Sequence, residues 1–320
     1  MIPTIGLMLG DAAGIGPEQC ARILSDGRLA ELARVRVFGD ARVLAQGARD
    51  AGVEVGGVDL VDLGNCDPGR IPRGAVSAES GRIAGETLRH MIERAAAGEI
   101  DGITFAPLNK AALHAGGWKF NDEHQLFAHL TRHQGFFGEM NVLDNLWMSR
   151  VTSHVSLRTA IEQITPQRID EALTLADATM RGAGFERPRI AVCALNPHGG
   201  ENGLFGSEEI EVIRPAVEKA AARGIACKGP FPSDTVFLKA FAGEFDGVLS
   251  MYHDQGQIAT KLKGFNRGVT VTGGLATVFT TPAHGTAFDI VGQGKATTGA
   301  LESAIRLCAR LASKRSHVAH

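Results

Sequence analysis

The chain has 320 residues, of which 44% are hydrophobic and 21% are charged, and its formal net charge is −2. That composition is typical of a globular protein long enough to fold as two domains. Because the sequence has no basic excess and no long run of lysines and arginines, nucleic acid is not expected as a partner.

Cysteine usage and hydropathy indicate a cellular compartment. The cysteines are widely spaced and form no Cys-x-x-Cys pair, which argues against a zinc knuckle or a disulfide scaffold and fits a reducing compartment. No apolar run reaches the length of a membrane span, and the first residues contain no basic signal-peptide region. We therefore expect a cytoplasmic protein that has no membrane partner. The cysteines are Cys20, Cys66, Cys193, Cys227 and Cys308.

Short apolar runs alternate with longer helical patterns along most of the chain, which is typical of strand–helix–strand units. The sequence therefore predicts an α/β fold with a largely parallel sheet. The predicted strands are residues 5–9, 35–38, 102–106, 142–148, 189–194, 247–250 and 268–272. Helices are predicted to open at Pro17 and to cover residues 77–97, 166–181, 207–223 and 297–311.

The loop after the first predicted strand, residues 10–16, is rich in glycine and leads into a helix at Pro17-Glu18. It superficially resembles a phosphate-binding turn. However, it lacks the G-x-G-x-x-G spacing of the dinucleotide-binding fingerprint. We therefore predict that the fold is not a classical Rossmann domain and that a cofactor binds elsewhere.

Residues 144–157 contain neighbouring extended segments with no helix between them. This pattern predicts an antiparallel excursion within the α/β order, and with it the start of a second domain or of a dimer arm. Because no flexible linker is present, we expect the chain to cross between its domains more than once.

Three histidines occupy strand-related positions. Ligands of α/β sheets gather at the carboxyl ends of strands, and His198 and His253 each follow a predicted strand among small, turn-forming residues. Strand alternation would direct His154 to the face opposite Val155. Three neutral imidazoles are a sufficient shell for a catalytic divalent ion with open positions. For any one of them alone, a hydrogen-bonded structural role is the simpler interpretation, and their wide spacing matches no local metal motif.

The other histidines divide into two groups. His124 follows the predicted strand end at Asn109-Lys110 and precedes an apolar helix, so it could line the same cleft. The rest are on helical or terminal stretches and are predicted to be surface groups without a role: His90, His114, His129, His133, His317 and His320.

Residues 284–296 combine many small residues with potential hydrogen-bonding groups. The small residues permit a ligand to approach the backbone closely, while His284 and Asp289 offer hydrogen bonds to a ribose or an adenine. This segment is therefore the predicted cofactor loop.

At this point the motifs resemble those of 4-hydroxythreonine-4-phosphate dehydrogenases of vitamin B6 synthesis and their paralogues, nearly from end to end. The cofactor loop also looks like the adenosine-binding loop of isocitrate and isopropylmalate dehydrogenases. The matching motifs are Gly10-Asp11, Gly14-Ile15-Gly16-Pro17-Glu18, Ala106-Pro107-Leu108-Asn109-Lys110, His154-Val155, Leu195-Asn196-Pro197-His198, Gly229-Pro230, Asp234-Thr235, Tyr252-His253-Asp254-Gln255-Gly256, Lys261 and His284-Gly285-Thr286-Ala287.

The resemblance implies a homodimer of two-domain subunits with the three-layer α/β/α fold of isocitrate and isopropylmalate dehydrogenases. Residues 1–138 with 283–320 would form a domain that contributes to cofactor binding, and residues 139–282 would carry metal ligands and dimer contacts. The resemblance further implies that His154, His198 and His253, drawn from both subunits, hold one zinc, magnesium, manganese or cobalt ion in an interdomain cleft. NAD or NADP would bind at His284, Gly285, Thr286, Asp289 and Gly294.

The implied activity is oxidation of a secondary hydroxyl of a small anionic hydroxy acid, followed by decarboxylation of the resulting 3-oxo acid. Lys261 and Asp234 are the candidates for catalysis and proton handling, with a structural ion pair between them as the alternative. The candidate substrate-binding residues are Asn109, Lys110, His124, Lys261 and Arg267.

The sequence departs from the vitamin B6 pattern at substrate positions. Asp122-Glu123-His124-Gln125 replaces Gly-His-Thr-Glu, Phe279 replaces an arginine, and Thr270 replaces an asparagine. Loss of a bidentate arginine removes a phosphate contact that phenylalanine cannot supply. Alternative substrates are threonate or erythronate 4-phosphate and the cis-dihydrodiol of terephthalate, and a noncatalytic metal- or nucleotide-binding protein is the alternative of another class.

Overall fold

A computed structural model of the chain describes residues 2–264 and 267–315. These residues form two compact units: the first lies within 1–134, 269–271 and 275–320, and the second lies within 135–268 and 272–274. The division into domains 1–138 with 283–320 and 139–282 stays a prediction. The last five residues of the chain, which include His317 and His320, are outside the described residues.

The strands are short, and most are apolar and buried along their length. In chain order they are β1 Thr4–Met8, β2 Arg34–Gly39, β3 Asp59–Asp62, β4 Gly102–Phe105, β5 Gly138–Leu143, β6 Leu146–Arg150, β7 Ile190–Cys193, β8 Cys227–Phe231, β9 Gly247–Ser250, β10 Val269–Gly273 and β11 Val278–Pro282.

Helices separate most of these strands. They are α1 Gly16–Ser25, α2 Ala41–Ala51, α3 Ala78–Ala96, α4 Lys110–Ala115, α5 Glu123–Leu130, α6 Leu157–Gln163, α7 Pro166–Gly182, α8 Arg214–Ala222, α9 Ser233–Phe241, α10 His253–Gly264 and α11 Gly299–Arg315. Pro17 lies in the first turn of α1, as predicted, because its fixed φ suits that position. Within the described residues, no helix is long and apolar enough to cross a membrane.

In the first unit the strand order is β3-β2-β1-β4-β11-β10. The pairs β1–β2, β1–β4, β4–β11 and β2–β3 are parallel. Parallel strands need apolar side chains on both faces, and β1 supplies them with Leu7 on one face and Met8 on the other, both buried. Leu7 packs in a core with Val37 and with Ile305 of α11.

In the second unit the order is β5-β6-β9-β7-β8. The pairs β6–β9, β9–β7 and β7–β8 are parallel, whereas β5–β6 is antiparallel. The single strand predicted over 142–148 is therefore wrong. The chain turns between the two strands at Asp144, whose φ of 55° lies in the left-handed region that a short polar side chain tolerates. The predicted antiparallel excursion is present, but it begins earlier, in β5.

All five cysteines lie within the described residues, where they are buried and form no disulfide. Burial raises the pKa of the Cys193 thiol to about 12 and raises that of the Cys20 thiol even further above its ordinary value. For Cys66, burial and then the nearby Asp40 carboxylate raise the pKa to about 12. These thiols stay protonated at neutral pH.

Candidate active site

His154 and His253 lie close together in the second unit, beyond the ends of the paired strands β6 and β9. Arg150 and Ser250, the last residues of those strands, are opposite each other in the sheet. The ring centroids of the two histidines are 5.5 Å apart, and both rings line a pocket of about 200 Å³. The backbone amide of Thr152 donates to the carbonyl of Met251 at 3.2 Å, which ties the two loops together.

The histidines of this pair differ from the sequence-based expectation in their local backbone. His154 is in a bend rather than in a strand, and its φ is 48°. His253 is the first residue of α10, and its Nδ1 lies 2.6 Å from Oδ1 of Asp254. A proton on Nδ1 shared with that carboxylate leaves the Nε2 lone pair available, which is the tautomer that a metal-ligating histidine needs.

His198 lies elsewhere in the second unit, on the turn that follows β7. It follows a strand, as predicted, but it does not line the pocket of the other two histidines. Its side chain is 66% exposed. Within the described part of the chain, no group of three or more histidine, cysteine or acidic side chains is arranged to hold a metal ion.

An imidazole pair with one ring held by a carboxylate suits a divalent ion such as zinc or cobalt. Two donors do not complete such a shell. The resemblance implies that the ligands of one ion come from two subunits. Such sharing requires that one chain carry a pair of ligands in one place and a third, accessible ligand in another, as the histidine pair and the exposed His198 do.

The turn that carries His198 is held by a buried carboxylate. Glu209 is 1% exposed, and its Oε1 accepts hydrogen bonds from the backbone amides of Leu195 at 2.8 Å and Asn196 at 2.7 Å. Its Oε2 accepts from Nδ2 of Asn196 at 2.9 Å. Burial alone would raise the pKa of Glu209, but these hydrogen bonds outweigh it and lower the pKa. Sequence reasoning assigned Glu209 no role.

Gln255 joins the ends of β7 and β9. Its Oε1 accepts from the amide of Met251 at 2.7 Å, and its Nε2 donates to the carbonyl of Ala194 and to Oγ of Ser233, both at 2.8 Å. The sequence places Gln255 in a matching motif, but it gives no sign of these long-range bonds. These bonds hold the loop before His253 against the end of β7, the strand that precedes His198.

The proposed proton-handling residues lie on α9 and α10. Asp234 is exposed in the first turn of α9, and its side chain makes no ion pair or hydrogen bond to any residue in 2–264 or 267–315. The alternative of a structural ion pair between Asp234 and Lys261 is therefore not present. Lys261 is exposed on α10, and Arg267 pairs with Oδ1 of Asp144 at 3.1 Å. Both partners of the latter pair are mostly exposed, so it contributes little to stability.

The remaining candidate substrate residues lie in the first unit. Asn109 caps α4 by accepting a hydrogen bond from the amide of Ala112 at 2.9 Å. Nζ of Lys110 lies 3.5 Å from Oε2 of Glu123, and this ion pair joins the first turns of α4 and α5. His124 follows Glu123 and is only 4% exposed.

Phe279 is fully buried on β11. Its ring stacks on that of Phe127 with 4.2 Å between centroids, and Phe105 contacts Phe127 edge-on at 5.4 Å. Thr270 on β10 is also buried. The two substituted strand positions therefore contribute to the core rather than presenting polar groups to solvent.

The predicted cofactor loop is anchored to α1 and the residue before it. The loop backbone makes three of these bonds, which join Ile15 N to Thr286 O at 3.1 Å, Arg22 Nη2 to Gly294 O at 2.7 Å and Ala296 N to Glu18 Oε1 at 3.0 Å. The residue after the loop makes a fourth, from Gln19 Nε2 to Thr297 O at 2.7 Å. Arg22 also contacts Glu18 at 3.2 Å. The loop is thus held by side chains that the sequence did not assign to it.

The candidate cofactor residues differ in accessibility. Gly285 and Asp289 are exposed, whereas Thr286 is buried against Gly14, where an added Cβ would lie 2.8 Å from Thr286 Cβ. His284 is half-buried, with Nε2 at 3.3 Å from Nε2 of Gln19. Gly294 has a φ of 66°, a backbone conformation that favours glycine.

Comparison with known proteins supports one family. The profile of the family described as "Pyridoxal phosphate biosynthetic protein PdxA" matches residues 20–308. A Pseudomonas aeruginosa protein that bears the name of a 4-hydroxythreonine-4-phosphate dehydrogenase is 46% identical, with 97% of each chain covered. The D-threonate 4-phosphate dehydrogenase of Cupriavidus necator is 41% identical, with 98% of this chain and 99% of the relative covered.

Solved structures agree with these sequence relatives. The crystal structure of a 4-hydroxythreonine-4-phosphate dehydrogenase from Burkholderia phymatum is 40% identical with a TM-score of 0.81, and 97% of this chain and 98% of the relative are covered. A terephthalate 1,2-cis-dihydrodiol dehydrogenase from Burkholderia xenovorans is 26% identical with a TM-score of 0.67 at the same coverage.

The predicted three-layer α/β/α dehydrogenase-like fold is confirmed by these neighbours. The same comparisons confirm the expectation of an oxidoreductase that acts on a hydroxyl group, since the sequence relatives are named as dehydrogenases. With a family profile that covers most of its length and relatives above 40% identity, the chain belongs to the PdxA family of pyridoxal phosphate biosynthetic proteins.

Proposed function

We propose that this protein is a dehydrogenase, dependent on NAD or NADP and on a divalent metal, that oxidises a secondary hydroxyl of a phosphorylated four-carbon hydroxy acid. The observation that carries the proposal is the His154–His253 pair beyond the ends of β6 and β9. Family membership supports the reaction class, and the names of the relatives support the substrate class.

The metal ligands of this proposal are His154, His253 and His198. When bound there, a divalent ion supplies Lewis-acid chemistry to the substrate hydroxyl. Asp254 holds the ring of His253 so that Nε2 is available. Exposed His154 and His198 need no core rearrangement to reach a ligand.

Oxidation removes a hydride from the carbon and a proton from the oxygen of the alcohol. The nicotinamide supplies the hydride acceptor. Asp234 and Lys261 are the groups that we propose to orient the substrate and to transfer the proton, and both are exposed on helices of the second unit. If the product is a 3-oxo acid, loss of carbon dioxide leaves an electron pair on the neighbouring carbon, which then takes up a proton.

We propose that the domain formed by 1–138 and 283–320 holds the cofactor and that 139–282 provides the metal ligands. His284, Gly285, Thr286, Asp289 and Gly294 would contact the adenosine half. The support for this proposal is a loop whose backbone is fixed by α1 while Gly285 and Asp289 remain exposed.

The anionic end of the substrate is assigned to Asn109, Lys110, His124, Lys261 and Arg267. Lys110 is paired with Glu123, which replaces the family histidine, so a phosphate must compete with that carboxylate. Because Phe279 and Thr270 also depart from the vitamin B6 pattern, D-threonate 4-phosphate is the first substrate to test, ahead of 4-phosphohydroxy-threonine.

We also propose a homodimer with shared active sites. Exposed apolar side chains flank both halves of the site: Val155, Leu157 and Ile161 follow His154, and Leu204, Phe205 and Ile210 follow His198. A second copy of the chain would cover both patches and would bring His198 of one subunit to the histidine pair of the other. The absence of a disulfide among the described cysteines supports the reducing, cytoplasmic location that we propose for this dimer.

The test is a substrate screen on the purified full chain, following absorbance of the reduced cofactor. The protein is stripped with a chelator and then assayed with NAD or NADP after addition of zinc, magnesium, manganese or cobalt. The substrates are D-threonate 4-phosphate, D-erythronate 4-phosphate, 4-phosphohydroxy-threonine and the cis-dihydrodiol of terephthalate. We expect turnover only with metal and the largest kcat/KM for a four-carbon acid phosphate.

Two results would contradict the proposal. A kcat/KM for the terephthalate dihydrodiol above that of every phosphate would move the chain to the aromatic substrate class. Tight binding of both metal and NADH without turnover of any compound would instead favour a noncatalytic binding protein.

A further inference from the structure

The turn that carries His198 has an unusual backbone. His198, Gly199, Gly200, Glu201 and Asn202 all have φ between 44° and 78°. This is the left-handed region, which L-residues with a side chain enter singly and at a cost. Three of the five residues carry side chains, so the turn persists only because its surroundings hold it.

Glu209 supplies much of that support. Its two carboxylate oxygens accept from Leu195 and Asn196, the residues that connect β7 to the turn. Gly200, within the turn, approaches so closely that an added Cβ would lie 2.7 Å from Oε2 of Glu209. The carboxylate therefore contacts the turn at both its entrance and its middle.

Asn196 completes the arrangement by bridging two acidic residues. Its Nδ2 donates to Oε2 of Glu208 at 2.6 Å and to Oε2 of Glu209 at 2.9 Å. Gly206 packs against this amide, and an added Cβ there would lie 2.6 Å from Nδ2. The segment after the turn thus packs against the amide of Asn196, which is itself hydrogen-bonded to the carboxylate of Glu209.

The cost of this arrangement points to a purpose beyond general packing. Glu209 is a 1% exposed carboxylate, and within residues 2–264 and 267–315 it has no lysine, arginine or histidine partner. A buried charge without a counter-ion is expensive, and hydrogen bonds from one short loop are its compensation. Glu209 also begins a π-helical turn, Glu209–Ile213, a feature often found at functional sites.

We propose that Glu209, with Asn196, is a positioning residue that holds the left-handed turn so that His198 is presented to a divalent ion. This inference rests on the proposed function, in which His198 is a metal ligand. Glu209 does not touch the metal itself. It acts through the backbone of residues 195–200, in the manner of outer-shell groups that orient first-shell ligands.

The test measures metal affinity of the full-length dimer for Glu209→Gln, with Glu211→Gln as the matched control and His198→Ala as the reference. Glu211 is in the same π-helical turn but is exposed. In Glu209→Gln, an amide nitrogen replaces one oxygen and faces Nδ2 of Asn196, so the contact at that oxygen is lost. Cobalt binding is followed by absorbance and NADH binding by fluorescence.

We expect Glu209→Gln to weaken cobalt binding by about 10- to 100-fold, the range measured for outer-shell groups, while NADH affinity is retained. Glu211→Gln should leave both affinities unchanged. Cobalt affinity in Glu209→Gln equal to that of Glu211→Gln, while His198→Ala loses the metal, would overturn the inference but not the proposed function. Unchanged cobalt affinity in His198→Ala would instead overturn the metal assignment and, with it, the inference.

If Glu209→Gln loses NADH binding and also the circular dichroism signal of the folded protein, the variant has unfolded. Asn196→Ala then tests whether this pair of residues positions His198. This variant keeps the backbone bonds to Glu209 but removes the bridge to Glu208. We expect weaker cobalt binding with NADH affinity retained. Wild-type cobalt affinity in folded Asn196→Ala would overturn the inference.

Discussion

Asp11 is a nearly fully buried carboxyl group in the loop after β1, with 1% of its surface exposed. Its Oδ1 accepts from the amide of Ala13 at 2.8 Å and from Oγ of Ser80. Burial raises the pKa of Asp11 above its ordinary value, and the hydrogen bonds from Ser80 and Ala13 offset only part of that effect. The ionised group therefore destabilises the folded state at neutral pH.

We predict that Asp11→Asn increases stability relative to wild type as the pH rises. Because the folded pKa exceeds the unfolded value, the folded wild type loses free energy of unfolding above about pH 4, as the group ionises. An asparagine oxygen can accept the same two hydrogen bonds. Thermal unfolding of both proteins at about pH 5 and about pH 8 should show the difference growing with pH.

Asp62→Asn is the control for this prediction, because Oδ1 of exposed Asp62 also accepts two hydrogen bonds, in its case from the backbone amides of Ala41 and Gly64. A stability difference between Asp11→Asn and wild type that shrinks toward higher pH would contradict the argument from burial.

Phe279 is a buried residue that bears on the proposed recognition of the substrate. An arginine at this position would have to break the stack with Phe127, and both rings are fully buried. Phe279 and Phe127 therefore form one packed pair, into which the arginine that the resemblance puts at this position would not fit. In the proposed site, recognition of an anion by the first unit would then depend on Lys110, whose partner Glu123 belongs to the segment that departs from the vitamin B6 pattern.

Among the larger elements, the segment 284–296 and α1 behave as one structure. Arg22 bridges Glu18 and the carbonyl of Gly294, and Glu18 also accepts from the amide of Ala296. A loop that closes around a cofactor loses conformational entropy. When the loop is already fixed in the free protein, less entropy is lost on binding.

We predict that Arg22→Gln weakens NADH binding by about fivefold, which corresponds to loss of about 1 kcal/mol from a half-buried hydrogen bond. Cobalt affinity should be retained, because the proposed ligands lie in the second unit. Arg49→Gln is the control, since Arg49 is an exposed helical arginine whose side chain donates a hydrogen bond to Gln46 of the same helix. Equal NADH affinity in the two variants would show that the α1 contacts do not position the loop.

The elements show what local sequence could predict. The strands β1 and β9 were predicted because a short apolar run between turn residues needs no distant information. The division of 142–148 into β5 and β6 was missed because apolar residues continue on both sides of a turn of only two residues, Asp144 and Asn145. The helix that begins at His253 was missed because its short polar start resembles a loop.

The candidate site shows the same division. The sequence predicts that His198 and His253 each follow the end of a strand, and the carboxyl ends of parallel strands lie at the same edge of a sheet. The separation of His198 from the His154–His253 pair could not be predicted, since it depends on how loops of different strands turn. Glu209 could not be predicted either, because its bonds join residues 13 and 14 positions apart and leave no local pattern.

At the scale of the whole molecule, one chain carries two incomplete parts of the proposed metal site. His154 and His253 belong to one part and His198 to the other, and each part is flanked by exposed apolar residues. An isologous dimer places each part against its complement twice, so it would form two equivalent sites.

We predict that two inactive variants restore activity when they are mixed and allowed to exchange subunits. In a heterodimer of His198→Ala and His253→Ala, one site has all three histidines and the other has one. Random exchange at equal concentrations should therefore recover about a quarter of wild-type activity, because half of the dimers are mixed and one of their two sites is intact.

The controls for this mixing experiment are each variant alone and a mixture of His154→Ala with His253→Ala, whose altered residues belong to the same part of the site. That second mixture should stay inactive. Activity that fails to recover in the first mixture, although mass spectrometry shows subunit exchange, would indicate that each site is built from a single chain.

The burial of every native thiol makes the protein convenient for site-directed labelling. Because the five cysteines are enclosed and the pKa values of Cys20, Cys66 and Cys193 are raised, a maleimide should react slowly with the folded protein. A cysteine introduced at exposed Glu211 would then take up a spin label or a fluorophore without removal of the native ones. In a dimer, the distance between two such labels would report how the two subunits are placed about the symmetry axis.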